Sequence, residues 1–303
     1  MKDILTIIFR LTVSCLLAGI VMGATFIFTN KAKLHNAEVR EQKVMLGLLG
    51  YSASKPAPAS LKLHTVYRYL VNSGGESSLG YLVPTGNGGE AGFVFVNLGL
   101  DGNFLGKEAV RLETHKAAEA NERQAAIAAA LGSTREARYV DQTIIATDNG
   151  KRLAYLLPGE FPGFKTFINV IVAIDPAFTV TGLEIMEHEE DPGLGGEIVQ
   201  DYFRNQFRGK GFEALKKLGV AKEPLPEEYR RALENGRNGG GISAEEVARI
   251  EANFSTKDIY ALTGATISSK AVTSGVKGIV SKFAYRIGIL DRVLQEQQIA
   301  VPF

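Results

Sequence analysis

The run from Leu11 to Thr29 (LTVSCLLAGIVMGATFIFT) holds no charged residue. As a helix rising about 1.5 Å per residue it would be roughly 28 Å long, the thickness of a bilayer's hydrocarbon core. Nothing else in the chain constrains its fold as strongly, because a helix apolar on every side has to be covered on every side. The apolar pattern reaches back to Ile4, interrupted by Arg10, whose long side chain can snorkel to the interface. A cleaved signal peptide is the competing reading, but its apolar core is only about 7–15 residues long and ends at a small-x-small site. Here the run flows through Asn30-Lys31-Ala32-Lys33 into a further helical pattern over Ala37–Leu49, so an uncleaved anchor continuing as a stalk is expected. Gly19-x-x-x-Gly23 has the spacing at which a second membrane helix can approach closely. Charge does not orient the span: Lys2 and Arg10 precede it, Lys31 and Lys33 come after it.

Composition narrows the chemistry. Lys+Arg at 34 against Asp+Glu at 33 leaves a net charge of +1 with no basic patch, which argues against nucleic-acid binding. The single cysteine, Cys15, lies inside the apolar run. That excludes an internal disulfide framework, a cysteine-ligated iron–sulfur cluster and a thiolate zinc site, and leaves residues 30–303 thiol-free, as suits an exported domain. His35, His64, His115 and His188 are scattered, so no metal site is expected. At 303 residues and 45% hydrophobic composition the chain can bury a real core.

Past a Pro/Ala/Ser linker at 51–60, the pattern predicts strands at His64–Val71, Gly80–Pro84 and Gly92–Val96. Gly86-x-Gly-Gly89 reads as a turn rather than a dinucleotide fingerprint, because no strand–glycine–helix unit surrounds it. The Ala- and charge-rich stretch 107–131 is expected to be helical, stopping at Gly132. Further strands are predicted at Gln142–Thr147, Phe167–Ile174 and Thr179–Glu187, the last two joined by the turn Asp175-Pro176-Ala177-Phe178. Residues 201–235 read as broken helix, with Phe203, Phe207 and Phe212 as core, and Arg237–Gly241 as a flexible break. Ser243 with Glu246 forms a capping box, and Ser268–Leu290 a long amphipathic helix. The fold class is α+β: an antiparallel sheet with a long C-terminal helix.

Two strings could carry chemistry. Leu262-Thr263-Gly264-Ala265-Thr266-Ile267-Ser268-Ser269-Lys270 joins a small-residue turn to a helix N-terminus, whose free N–H groups favour an anion such as phosphate. An ordinary Ser/Thr cap is the plainer reading. His188-Glu189-Glu190-Asp191-Pro192-Gly193-Leu194-Gly195 offers acids for proton transfer or cation binding, against the default of a solvated acidic loop.

Thr263-Gly264-Ala265-Thr266 resembles the (Ser/Thr)-Gly-Ala-Thr flavinylation motif of the FMN-binding domains in the Rnf and Na+-translocating NADH:quinone oxidoreductase complexes. His188–Gly195 is similar to the His-x-Glu-Thr-Pro-Gly-Leu-Gly loop of the Rnf G-subunit family, and Tyr202–Lys210 to the segment after that loop. The resemblance implies one N-terminal transmembrane helix (1–30), a helical stalk and linker (31–60) and an extracytoplasmic FMN-binding domain (61–303) with insertions near 85–135 and 213–256. It implies FMN esterified through its phosphate to Thr266, with Thr263, Gly264, Ala265, Ser268 and Ser269 at the phosphate. His188, Glu190, Pro192, Gly193, Leu194 and Gly195 would lie toward the ring. It further implies an electron-transfer role in a bacterial inner-membrane complex that couples ferredoxin and NAD redox chemistry to ion movement. The soluble domain would then be periplasmic, integral-membrane subunits its partners, and a flavin transferase its maturation enzyme. Two departures stand out: Tyr260 occupies the position six before the acceptor, where the family carries an acid, and Asp191 replaces its threonine. The alternatives are the C subunit of the sodium-pumping relative, a structural or assembly subunit without flavin, and a hydrolase using the acidic loop.

Overall fold

The computed structural model describes residues 2–86, 92–235 and 241–303, so most of the Gly86–Gly89 turn and of the Arg237–Gly241 break lies outside the described residues. The chain divides into two units, Met1–Lys55 and Pro56–Phe303. In the first, the apolar run and the stalk form one helix, α1 (Lys2–Leu48), and its segment Ile4–Asn30 is long and apolar enough to cross a membrane. Thr12, Ser14 and Thr25 each donate a hydroxyl to the carbonyl four residues back, at 2.8–2.9 Å. A helix in hydrocarbon must satisfy its polar groups internally in this way. Residues 51–60 carry no regular structure, in keeping with their composition.

The second unit is built on eight strands: β1 (Leu61–Ser73), β2 (Glu76–Pro84), β3 (Phe93–Leu98), β4 (Phe104–Val110), β5 (Arg135–Asp148), β6 (Lys151–Pro162), β7 (Phe167–Ile174) and β8 (Val180–Glu187). They form one sheet in the order β4-β3-β2-β1-β5-β6-β7-β8, antiparallel throughout. The β7–β8 turn is where the sequence put it: Asp175 Oδ1 accepts from the N–H groups of Ala177 (2.9 Å) and Thr179 (2.8 Å).

Two sequence expectations are corrected here. Residues 107–131 are not one helix: β4 ends at Val110, a short 3-10 turn comes next at Lys116–Ala118, and α2 covers only Ala120–Leu131, stopping at Gly132 as expected. The edge strand escaped notice because its Ala- and Lys-containing sequence suits a helix too. Alternating exposure along Phe104–Val110 and pairing with β3 decide for the strand. β6 was not anticipated at all, since Pro158 and Gly159 interrupt its pattern.

Helix α2 closes a core on one face of the sheet, Ile127 and Leu131 packing with Tyr67, Tyr69, Leu82 and Phe95. Arg123 is buried with it, donating to the Tyr69 hydroxyl (2.8 Å) and the Ala117 carbonyl (2.6 Å) and stacking on Tyr67 at 4.2 Å. After β8 come α3 (Asp201–Arg204), α4 (Phe212–Lys217), the two-residue strand β9 (Val220–Ala221), α5 (Glu227–Asn235), α6 (Ala244–Phe254) and β10 (Ile259–Tyr260), which pairs in parallel with β9. The last helix, α7 (Thr266–Glu296), carries Val272, Val276, Val280, Phe283, Ile287, Leu290 and Leu294 at helical spacing into the larger core, with Val66, Ile145, Tyr155 and Val172 of the sheet. Phe203 and Phe207 are wholly buried in that core and Phe212 packs at its margin, as read from the sequence.

The capping box at α6 is half present: the Glu246 N–H donates to Ser243 Oγ at 3.2 Å. At its other end the buried Lys210 ammonium donates to the carbonyls of Phe254 (3.1 Å), Ser255 (3.4 Å) and Lys257 (2.6 Å). Burial pulls the Lys210 pKa down to about 8, partly opposed by Asp258.

Candidate functional site

The two chemistry-bearing strings, far apart in sequence, meet at the start of α7, and a buried carboxylate joins them. Glu190 is 5% exposed. Its Oε1 accepts from the backbone N–H groups of Phe164 (2.7 Å) and, more weakly, Lys165 (3.4 Å), in the β6–β7 turn. Its Oε2 accepts from Ser268 Oγ in the first turn of α7. One side chain thus ties a hairpin turn, the acidic loop and a helix N-terminus together. Around it, His188 Nδ1 accepts from the Glu190 N–H (3.2 Å), and the Asp191 carbonyl accepts from the N–H groups of Leu194 (3.2 Å) and Gly196 (2.8 Å). The Lys165 ammonium pairs with Asp191 at 2.5 Å on the surface.

Glycines make the approach possible. A Cβ on Gly195 would stand 2.6 Å from Glu190 Oε2 and 2.7 Å from Ser268 Oγ, so any side chain there would break that contact. Gly264 has φ +77°, and a Cβ on it would stand 3.0 Å from Leu194 Cδ2. The leucine of the acidic loop therefore sits directly on the Thr263–Thr266 turn. Pro192 and Gly193 are exposed beside it, and Leu194 is itself 46% exposed.

The four hydroxyls of the turn divide into two kinds. Ser268 and Ser269 are 2% and 0% exposed. Ser269 Oγ accepts from the Leu262 N–H (3.0 Å) and donates to the Ala265 carbonyl (3.0 Å), closing the turn onto the helix. Thr263 is exposed, and Thr266, the first residue of α7, is half-buried. Ala265 precedes the helix and gives it no side-chain cap. The first N–H groups of any helix lack an intrahelical partner, so this end is left free to receive an anion. The glycine-lined approach, the uncapped helix end and the partly exposed Thr266 fit a phosphate-bearing cofactor.

A cleft of about 400 Å³ opens beside the turn. Gly193 and Leu194 bound it on one side and Tyr260–Thr263 on another, and Glu197, Tyr202, Gln206, Leu225, Glu227 and Arg230 are among the rest of its lining. Thr266 is one short turn of chain beyond Thr263. Residues 163–281 match the FMN-binding domain family.

The chain has relatives in both groups that the motifs suggested. The G subunit of the proton-translocating ferredoxin:NAD(+) oxidoreductase complex of Clostridium ljungdahlii is 34% identical over 137 residues, 45% of this chain and 57% of that one. The C subunit of the Na(+)-translocating NADH-quinone reductase of Yersinia pestis is 33% identical over 113 residues, 36% of this chain and 42% of that one. Among solved structures, NqrC of Shewanella oneidensis is similar at 20% identity with a TM-score of 0.33, over 48% of this chain and 56% of that one. The chain spans about half the length of the curated relatives it matches.

The cleft residues Tyr202, Arg230 and Tyr260 were not read as site residues from the sequence, nor was Phe164 in the β6–β7 turn. Recognising β6 would have flagged Phe164, since it comes directly after a proline–glycine pair at a strand end. Tyr260 is held firmly: its N–H donates to Gln206 Oε1 (2.8 Å), its carbonyl accepts from Gln206 Nε2 (3.3 Å), and its ring packs edge-on against Tyr229 and Phe254. The nearest acid in sequence, Asp258, accepts from the Gly219 N–H at 2.8 Å.

Proposed function

We propose that this chain is a membrane-anchored electron-transfer subunit of an Rnf-type complex, carrying FMN covalently through a phosphoester to Thr266. The observation that carries the reading is the seat of Leu194 on Gly264, which unites the two motifs beside a half-buried threonine at an uncapped helix end. Bound there, the flavin supplies the redox chemistry, and the chain supplies tether, position and field. The 31-residue α7 directs the positive end of its dipole and its first N–H groups at the phosphoester's remaining charge. Thr263 Oγ1 is the second accessible hydroxyl for that phosphate. Glu190 holds the acidic loop against α7, and Pro192–Gly195 brings backbone close to the ring. A covalent tether suits a domain outside the cytoplasm, where no pool replaces a lost cofactor.

In this reading residues 1–30 anchor the chain in a bacterial inner membrane, 31–60 form stalk and linker, and 61–303 lie on the periplasmic side. Integral-membrane subunits are its partners, the complex couples ferredoxin and NAD chemistry to ion translocation, and a flavin transferase attaches the FMN. The C subunit of a Na+-translocating NADH:quinone oxidoreductase is the second reading, favoured by the 33% identity to the Yersinia pestis protein. A structural subunit without flavin is the third, favoured by Tyr260 at the position where the family carries an acid. The test is ultraviolet in-gel fluorescence of the denatured full chain, coexpressed with a flavin transferase. A fluorescent band that vanishes in Thr266→Val and persists in Thr263→Val supports the proposal; a dark wild-type band overturns it.

A further inference from the structure

We infer that the sheet and α7 enclose a binding site for one small monovalent anion of the halide class, held by Arg68 and Arg286. The site is built on strand register. Arg68 of β1 stands opposite Asp141 of β5 on one side and opposite Tyr81 of β2 on the other, so the three side chains form a row across neighbouring strands. Arg286 of α7 joins them. One carboxylate then serves two guanidinium groups. Asp141 accepts from Arg68 Nε at 2.8 Å and Nη2 at 2.5 Å, and from Arg286 Nη1 at 3.3 Å. Tyr81 is the other titratable group that acts on both arginines, and burial pushes its pKa up, which keeps it neutral. Two cations against one carboxylate leave a single positive charge uncompensated.

That charge borders a cavity of about 20 Å³. One water needs roughly 10–15 Å³ of such space, so a single small guest fits and a cofactor does not. Among the described residues, Arg68 Nη1, Arg286 Nε and Nη2 and the Tyr81 hydroxyl have no hydrogen-bond partner, and Thr143 brings a further hydroxyl to the wall. The two arginine side chains are only 16% and 19% exposed, so water compensates them poorly. Burial and the nearby Arg68 together hold the Arg286 pKa below its ordinary value, although Asp141 opposes them. A guest of charge −1 makes the cluster neutral, whereas a divalent anion would reverse its sign. The remaining walls are apolar: Val66, Ile145, Phe283, Ile287 and Leu290. They cannot replace a tight hydration shell, so chloride or bromide should enter far more readily than fluoride. None of these residues falls within the family match at 163–281, and the inference is independent of any flavin on Thr266. The bound ion would fasten the later turns of α7 to β1, β2 and β5.

The detergent-solubilised full chain is melted in sodium gluconate, whose anion is too large for the cavity, with sodium chloride replacing it stepwise at constant ionic strength. The melting temperature should rise along a saturating curve, by roughly 3–5 °C once chloride reaches ten times its dissociation constant. Bromide should match chloride, and fluoride should give no saturating rise. In Arg286→Gln the saturating part should vanish. In Asp141→Asn, where two charges stand uncompensated, it should grow, even though the variant starts from a lower melting temperature. A cluster with a structural role alone would lower the starting temperature of both variants and leave the chloride response flat in all three proteins. Chloride-35 line broadening on the wild-type protein is the second measurement, and it needs no variant to fold. Bromide should abolish the broadening and fluoride should not. A chloride response that is flat, or equal in wild type and variants, overturns the site. So does wild-type protein that leaves the chloride line unbroadened, or a broadening that fluoride removes as well as bromide does.

Discussion

Glu190→Ala tests whether one carboxylate organises the whole site. In the folded protein that carboxylate is buried and takes two good hydrogen bonds, from the Phe164 N–H at 2.7 Å and from Ser268 Oγ, plus a weaker one from Lys165 at 3.4 Å. Hydrogen bonds to a charged group are worth about 1.5–3 kcal/mol each, and a buried donor left without a partner costs about 1–3 kcal/mol. Part of the loss returns because the buried charge is also removed, so the net destabilisation should be about 3 kcal/mol. In a unit of this size that lowers the melting temperature by roughly 6–12 °C. Glu190→Gln keeps an acceptor for Phe164 and should cost about half as much. Thermal melts of the detergent-solubilised full chain, followed by circular dichroism, measure both variants, and Ser268→Ala completes a double-mutant cycle. The Glu190–Ser268 coupling should be about 1–2 kcal/mol. A Glu190→Ala protein within about 1 kcal/mol of wild type, or a coupling of zero, would refute the idea that this side chain clasps the three segments.

Gly264→Ala places a Cβ at φ +77°, 3.0 Å from Leu194, and should cost about 1–2 kcal/mol and reduce the flavinylated fraction on the fluorescent gel. Lys210 binds its proton less tightly folded than unfolded, so stability should rise as pH increases from about 8 toward the unfolded value of 10.5, by up to about 3 kcal/mol. Urea titrations at stepped pH check this, and the slope should be missing in Lys210→Met. Ile127→Ala, at a wholly buried position of α2, should cost about 3 kcal/mol in the same urea titration. Ile20→Lys, in the apolar span, should oppose insertion by about 2.5–3.5 kcal/mol and raise the fraction released by alkaline carbonate from membranes.

Legibility in the sequence divides along physical lines. The span was readable because lipid tolerates so few residues, and α7 because its buried positions recur every three or four residues over a long stretch. The turn at Thr263–Thr266 stood out as a run of small residues ahead of a helix start, whereas the loop at Pro192–Gly195 stood out by its resemblance to the Rnf G-subunit loop. β4 and β6 were hidden for a different reason. A short edge strand containing Ala and Lys, and a strand holding Pro158 and Gly159, owe their conformation to neighbours rather than to their own preferences. The cleft was hidden most completely. Tyr202, Arg230 and Tyr260 share no spacing, and only the packing of α3, α5 and β10 makes them adjacent.

If FMN is esterified to this turn, as proposed, the division of its hydroxyls bears on regiochemistry. In the unfolded chain Thr263, Thr266, Ser268 and Ser269 are four similar nucleophiles within a few residues, and an enzyme reading sequence alone would have to choose among them. Folding withdraws two, because Ser268 is spoken for by Glu190 and Ser269 by the backbone of its own turn. A modifying enzyme that meets the finished domain therefore faces a smaller choice. Only one of the hydroxyls left stands within the helix's opening turn, where a developing negative charge is already provided for.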